Sequence, residues 1–373
     1  MTDQDERAPE EPSAASDPTA EPSGEPTGAG RQVCVTGASG YIGSHLVRLL
    51  LQRGYRVRAT VRDAADDTKT AHLKALDAPH HSLELVNADL LRTGSFDEAV
   101  AGCVGVFHAA ASTRLNAKDP QRAIVDPAVR GTENVLGACK RAGTVERVVL
   151  TSSVAAMMGL DRPESYVTTE DDWNDEATIK QPYPYAKTLA ERKAWSFQRE
   201  LADEQRFELV ALNPAYVLGP VLARVHLKSS PSIVRRLMTR SLPGCPRLHF
   251  NLVDVRDVAL AHVHAFERFD ARGRYLLVHE GRWMAELAKA LAAKFPDYPV
   301  PTWPIPNLLM YAATLVDKQV TFDYLRRNLG KTTRFDGSRA PKELGFAYRP
   351  AEETIADTAQ SLVDLGLLRP RKR

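Results

Sequence analysis

The stretch "VTGASGYIGSHLV", residues 35 to 47, places Gly37, Gly40 and Gly43 between an apolar run and what is predicted to be the first turn of a helix. Glycine permits positive backbone dihedrals and a close approach of phosphate, and the N-terminus of the helix beyond it favours negative charge. A tight loop with three glycines by chance is the alternative. The strand, glycine turn and helix in this order favour a site for the pyrophosphate of a dinucleotide.

The rest of the chain continues the same alternation. Short β-rich apolar runs such as "YRVRATV" and "VGVFHAA" alternate with longer amphipathic stretches, including a helix predicted near residues 126–142. This order predicts an α/β Rossmann fold, a doubly wound parallel sheet with right-handed crossovers and helices on both faces. After "FELVALNPAYVLGP" the alternation loosens, so we expect a nucleotide-binding domain over 31–215 and a smaller, mainly substrate-binding C-terminal lobe over 216–373, with elements around 251–278 returning to the first domain.

Composition restricts the class of protein. The first 30 residues hold eight acidic residues, one arginine and almost no bulky apolar side chain, which predicts a disordered tail. No basic, apolar leader or membrane-length apolar run is present, so a cytoplasmic protein that does not bind membranes is expected. The net charge of +2 and the lack of interleaved arginines and aromatics argue against a nucleic-acid partner, and the four cysteines lack the spacing of a metal site.

The segment "PYPYAKTLAERKAW" carries the candidate chemistry. Tyr183 and Lys187 are four residues apart, so they share one face of a helix. A tyrosine is a weak acid–base catalyst at neutral pH unless a nearby cation favours its phenolate, and Lys187 can be that cation. Tyr185 competes for the role, but it faces elsewhere around the helix. An aromatic ring packed on a lysine stem is the structural alternative.

A pair of hydroxyl groups ends the predicted strand "VVLTSS". Ser152 and Ser153 lie where a parallel sheet presents its ligand, and either can hydrogen-bond a carbonyl oxygen held beside Tyr183. Strand-terminal serines are more often simple caps, so this assignment depends on the tyrosine and lysine.

The nucleotide is indicated by the end of the second strand, "ATVRD". Arg62 is the first residue beyond the strand, Lys69 follows shortly after it, and Val61 at the strand tip supplies no carboxylate for the ribose hydroxyls. An arginine pairs well with a 2′-phosphate. The pattern favours NADPH, with NADH possible, although Asp63 is adjacent and an arginine after a strand is often only solvated.

These motifs resemble the extended short-chain dehydrogenase/reductase superfamily, and within it the dihydroflavonol reductase-like group of carbonyl, aldehyde and cinnamoyl-CoA reductases. The resemblance runs from about Gln32 to the C-terminus through "GSFDEAVAGCVGVFHAA", "YAKTLAE", "NPAYVLGP" and "LVDVRDVALAHVHAFE". It selects Ser153 over Ser152 and implies a catalytic Ser153, Tyr183 and Lys187. The cofactor contacts it implies, together with those argued above, are Gly37, Ser39, Gly40, Tyr41, Ile42, Gly43, Arg62, Lys69, Asp89, Leu90, Ala109, Ala110, Ala111, Tyr183, Lys187, Pro214 and Val217.

Two departures bear on the substrate. Met157 stands four residues after Ser153, where flavonoid reductases carry a polar residue, and Gln181-Pro182 interrupts the cinnamoyl-CoA reductase signature. We therefore expect an NADPH-dependent reductase of a small-molecule aldehyde or ketone (equally an alcohol dehydrogenase in reverse), active as a monomer or homodimer. An NAD-dependent nucleotide-sugar epimerase or dehydratase and, more distantly, a non-catalytic dinucleotide-sensing regulator are the alternatives.

Overall fold

The computed structural model describes residues 27–77, 82–111, 117–159, 161–313 and 322–370. The strands are β1 Gln32–Thr36, β2 Arg56–Val61, β3 Leu83–Asn87, β4 Gly105–His108, β5 Arg147–Thr151, β6 Val167–Thr168, β7 Glu208–Pro214, β8 Tyr216–Leu218, β9 His249–Asp254, β10 Gly273–Leu277, β11 Glu280–Trp283 and β12 Arg334–Phe335. The helices are α1 Tyr41–Gln52, α2 Asp67–Asp77, α3 Asp97–Val100, α4 Asp126–Ala142, α5 Pro182–Arg199, α6 Ser232–Met238, α7 Val255–Glu267, α8 Met284–Lys294, α9 Asn307–Ala313, α10 Phe322–Asn328, α11 Arg339–Leu344 and α12 Ala351–Asp364.

The main sheet has seven strands in the order β10-β7-β5-β4-β1-β2-β3, all paired in parallel. The order reverses direction at β1 and β4, which is where an open α/β sheet opens its ligand crevice. The predicted doubly wound parallel sheet is confirmed. Smaller sheets, β11-β9-β8 and β12-β6, lie beside it.

Helices cover the sheet on both faces because successive side chains of a strand point to opposite sides. In β1, Val33 and Val35 pack in a core with α1 and α7, whereas Cys34 lies in a second core with α3 and α4. The near-continuous apolar strands of the sequence follow from this double burial. A third core joins α6, α8 and α12.

The N-terminal region meets the domain at its first described residues. Thr27 donates a hydrogen bond to Glu267 across 2.8 Å, and Gly28 packs so closely on Tyr55 that an added Cβ would lie 2.3 Å from the ring. The predicted disordered tail covers residues 1–30, and 1–26 lie outside the described residues.

The predicted division of the chain into two domains at residue 215 stays a prediction. Strand β10 joins the main sheet, and α7 packs against α1.

Candidate active site

The carboxyl ends of β1 and β4 meet at one edge of the sheet. Thr36 and His108 are register partners there, and their Oγ1 and Nδ1 atoms are 2.8 Å apart. The same Thr36 oxygen accepts a hydrogen bond from the Ala110 amide at 3.1 Å. Burial, and next the charge of Lys187, lower the pKa of His108 to about 3, so this imidazole is neutral. The contact joins the turn after β1 to the "AAA" segment after β4.

The glycine turn lies directly beyond this contact. Gly37 has φ +68°, and a Cβ on it would lie 2.6 Å from the Cα of Ala110. A Cβ on Gly43 would lie 2.4 Å from the Gly37 carbonyl oxygen. Gly40 caps α1 without a side-chain hydrogen bond, and the first turn of α1 carries no acidic residue. The N-terminal end of α1 therefore has no side-chain cap and no acidic charge in its first turn, which fits a pyrophosphate on its backbone amides.

The residues next to these glycines differ in whether their side chains are buried in the core or exposed at the turn. Tyr41 is buried, and its hydroxyl donates to the Gly219 carbonyl at 2.7 Å, so only the backbone of Tyr41 can face a phosphate. Ile42 packs against the apolar core in the same way. Ser39 is partly exposed at the turn.

A histidine from the C-terminal part of the chain also reaches the turn. His226 lies in a short 3-10 helix, Arg224–Lys228, and its Nε2 is 3.2 Å from the Ser44 hydroxyl of α1. Burial lowers the pKa of His226 to about 3, and the nearby backbone of Ser39 opposes that shift. The 3-10 helix Arg224–Lys228 is thus anchored at the predicted phosphate site.

Ser153, Tyr183 and Lys187 come together at the end of β5. Helix α5 begins at Pro182, which places Tyr183 in its first turn, and the Ser153 hydroxyl lies close enough to the Tyr183 phenol to act on its pKa. Lys187 Nζ donates to the Thr151 carbonyl at 3.1 Å. The three predicted catalytic side chains therefore share one cluster.

The pKa values of this cluster follow mainly from burial. Desolvation raises the pKa of Tyr183 and the nearby Ser153 hydroxyl opposes that shift, so the phenol holds its proton at neutral pH. Desolvation lowers the pKa of Lys187 to about 8, and the charge of Glu191 opposes that shift. That Lys187 lowers the pKa of Tyr183 stays a prediction. A protonated tyrosine suits the role of proton donor to a carbonyl oxygen.

The structure distinguishes between the two candidate serines and between the two candidate tyrosines. The Ser152 hydroxyl donates to Glu191 at 2.5 Å. Tyr185 packs instead with Ile124 and Val125. Ser153 and Tyr183 are thus the pair that the fold brings together.

The predicted adenosine end lies at the tip of β2. The strand ends at Val61, and Arg62 is exposed directly after it. Lys69, in α2, pairs with Asp66. It also borders a cleft of about 550 Å³ whose lining residues include no carboxylate, namely Thr68, Lys69, Arg224, Val225, Leu227, Lys228, Arg235, Gly366, Leu367 and Arg369. This positive charge suits a phosphate.

The remaining predicted cofactor contacts lie on several elements. After β3, the Asp89 carboxylate accepts from the Leu91 amide at 2.8 Å, and Leu90 packs on α4 where Gly131 leaves room. Ala109 and Ala111 flank Ala110 after β4. Pro214 ends β7, and Val217 is buried in β8.

Sequence reasoning missed several residues of this region. Thr36 and His108 orient the loops, while Glu191 and Arg274 form a buried ion pair below Lys187 with an Nε–Oε1 distance of 2.6 Å. The quoted motifs "FHAAA" and "YAKTLAE" contain His108 and Glu191, but their partners are distant in the chain. The available signal was Glu191 itself, a charged residue on the face of α5 that also carries Ala190 and Ala194.

The described residues give no support for a metal site, a disulfide or a membrane-spanning helix. No group of three or more His, Cys, Asp or Glu side chains there could hold a metal ion, and the cysteines Cys34, Cys103, Cys139 and Cys245 are free and buried. No described helix has the length and apolar character needed to cross a bilayer.

Residues 33–277 match the model of the NAD dependent epimerase/dehydratase family. The chain belongs to this family. It is 38% identical over 338 residues to cinnamoyl-CoA reductase CAD2 of Medicago truncatula, covering 89% of this chain and 96% of that protein. It is also 38% identical over 283 residues to a bifunctional dihydroflavonol 4-reductase/flavanone 4-reductase of Malus domestica, covering 72% and 78%.

Among solved structures, Gre2 of Candida albicans in complex with NADPH matches with a TM-score of 0.75 and 30% identity, over 90% of this chain and 99% of that one. The predicted dihydroflavonol reductase-like group is confirmed by these likenesses. The relatives are reductases, which confirms the predicted oxidoreductase class and does not favour the epimerase alternative.

Proposed function

We propose that the protein is an NADPH-dependent reductase of an aldehyde or ketone carbonyl, with Ser153, Tyr183 and Lys187 as its catalytic residues. The observation that carries this proposal is the proximity of Ser153 and Tyr183, with Lys187 one helical turn further along α5, at the sheet edge that also holds the glycine turn. Related reductases and a related NADPH complex support it.

The residues present fit a dinucleotide. The open end of α1 takes the pyrophosphate, where Gly37 leaves room beside Ala110. At one end, Arg62 is cationic and exposed and so suits the 2′-phosphate, and Lys69, paired with Asp66, borders a cleft lined by further cationic side chains. At the other end, Lys187 would contact the nicotinamide ribose. When bound, the reduced nicotinamide supplies hydride to the carbonyl carbon.

Side chains of the protein polarise the carbonyl and supply the proton. The Ser153 hydroxyl donates a hydrogen bond to the substrate oxygen and polarises the carbonyl. Tyr183, protonated at neutral pH, gives its phenolic proton to that oxygen as negative charge develops on it. The ammonium group of Lys187 then stabilises the phenolate left on Tyr183.

One side chain bears on the class of substrate. Met157 stands where flavonoid reductases carry a polar residue, and it is apolar and fully buried with Leu276 and Val278. We propose that the substrate is a small carbonyl compound rather than a dihydroflavonol. That the protein acts in the cytoplasm as a monomer or homodimer is also a proposal.

A substrate panel tests the assignment. Purified protein is supplied with aldehydes, α-keto esters, diketones and hydroxy-ketones, and NADPH and NADH oxidation is followed beside alcohol formation. We expect one alcohol formed for each NADPH consumed. A protein that epimerises or dehydrates a nucleotide sugar with no net consumption of nucleotide would refute the proposal in favour of the alternative.

A further inference from the structure

Glu191 lies one helical turn beyond Lys187 on α5, and its side chain is fully buried. A buried carboxylate is costly unless it is paired, and this one accepts hydrogen bonds from three strand ends. The donors are Ser152 Oγ at 2.5 Å, Asn213 Nδ2 at 2.8 Å and Arg274 Nε at 2.6 Å. We propose that Glu191 is the positioning residue that holds Ser153 and Lys187 in their reactive arrangement; this inference rests on the proposed function.

The hydrogen bonds converge on the peptide of Ser153. Ser152 directly precedes it, and the Asn213 amide that donates to Glu191 also donates to the Ser153 carbonyl at 3.1 Å. Lys187 meanwhile donates to the carbonyl of Thr151. Hydrogen bonds therefore connect Thr151 to Lys187, and Ser152 and the Ser153 carbonyl to Glu191, the latter through Asn213. A shift of Glu191 would thus move Ser153 relative to Lys187.

Arg274 supplies the charge that permits the carboxylate to be buried. It lies on β10, and its Nη1 donates to the Glu170 carbonyl at 2.8 Å while its guanidinium stacks 3.9 Å from the centre of the Trp173 ring. Buried ion pairs contribute little net stability compared with apolar residues of the same shape. A role in positioning accounts for this pair better than a role in stability.

The same carboxylate acts on the charge of Lys187. The titratable groups that face Lys187 are His108 from β4, which is neutral, Tyr183 and Glu191 on its own helix, and Arg274 from β10 behind Glu191. Among them Glu191 is the anion. Its loss should therefore make the ammonium form of Lys187 less stable.

The test is Glu191→Gln, which keeps the shape and removes the charge. We expect the alkaline limb of the kcat/KM profile to move by about one unit to lower pH, and kcat to fall more than the affinity for NADPH. The matched control is Glu133→Gln, because Glu133 of α4 pairs with Lys193 of α5 at 2.8 Å on the surface. An unchanged limb in Glu191→Gln, or the same shift in Glu133→Gln, would overturn the inference.

Two further measurements keep the test decisive. If Glu191→Gln does not fold, Glu191→Asp retains the charge with a shorter reach, so the limb should stay in place while kcat falls; wild-type kcat in that variant overturns the inference. NMR titration of 13C-labelled lysine side chains needs no turnover, and the Lys187 pKa should fall in Glu191→Gln. A wild-type protein that reduces no carbonyl would refute the proposed function alone, and an unmoved Lys187 pKa would refute the inference alone.

Discussion

The two ends of the predicted nucleotide cleft differ in their physical setting. At the catalytic end, Ser153, Tyr183 and Lys187 are in contact with buried partners, and burial shifts the pKa values of the tyrosine and lysine. At the adenosine end, Arg62 is exposed and Lys69 has only an ion pair with its neighbour Asp66. Exposed ion pairs are worth about 0–1 kcal/mol, whereas a buried polar group that loses its partner costs about 1–3 kcal/mol. We therefore expect the catalytic end to decide whether the reaction occurs, and the adenosine end to decide which nucleotide is preferred.

The largest effect is expected from Tyr183→Phe. This change removes the proposed proton donor and keeps the ring, so kcat should fall about 100-fold or more, while NADPH affinity, measured by fluorescence titration, should change little. Tyr185→Phe is the matched control, because Tyr185 packs with Ile124 and Val125. Wild-type turnover in Tyr183→Phe would remove the tyrosine from the mechanism.

Gly37→Ala should come next in size. Its Cβ would lie 2.6 Å from the backbone of Ala110, so the turn must open and NADPH affinity should fall at least tenfold by titration. Gly102→Ala is the control, since Gly102 has φ +71° with nothing within 4 Å of an added Cβ. Both variants carry about 1–2 kcal/mol of backbone strain, and equal nucleotide affinity in the two would contradict a phosphate site at this turn.

The pH dependence of kcat/KM tests whether the reaction needs the charge of Lys187. Its pKa is lowered to about 8, so the ammonium form is present below that pH and is lost as the pH rises through it. We expect kcat/KM, which reports the free enzyme, to fall along an alkaline limb near pH 8. Lys187→Arg stays charged over this range and should lack the limb; a limb that persists unchanged belongs to another group.

The smallest of these effects is expected at the adenosine end. Arg62→Ala should weaken NADPH binding about tenfold and leave NADH binding nearly unchanged, as measured by the ratio of the two Kd values. Arg56→Ala is the control, because Arg56 is an exposed arginine at the opposite end of the same strand. An equal loss for both nucleotides in Arg62→Ala would show that the arginine does not read the 2′-phosphate.

Much of the fold was predictable from local sequence signals. The alternation of apolar runs and amphipathic stretches predicts the parallel sheet, and residues 126–142 form α4 as expected. Tyr183 and Lys187 were recognisable because four-residue spacing on a helix makes neighbours. These signals are local, so no knowledge of the tertiary structure is needed to use them.

The contacts that hold the site were not predictable in the same way. Arg274 is 83 residues beyond Glu191 in the chain, and Asn213 comes from a third element. Thr36 and His108 likewise meet only because β1 and β4 are paired. A single sequence shows that a buried charge needs a partner, but the order of the strands decides which partner it meets.

The contact of His226 with the glycine turn has a kinetic consequence. Because the 3-10 helix Arg224–Lys228 is anchored on Ser44 through His226, we expect a ligand that rigidifies the turn to rigidify this helix as well. Saturation with nucleotide should then slow tryptic cleavage after the exposed Arg224 and Lys228. In steady-state terms, the enzyme should bind its two reactants in a compulsory order, with the nucleotide first and the carbonyl compound second.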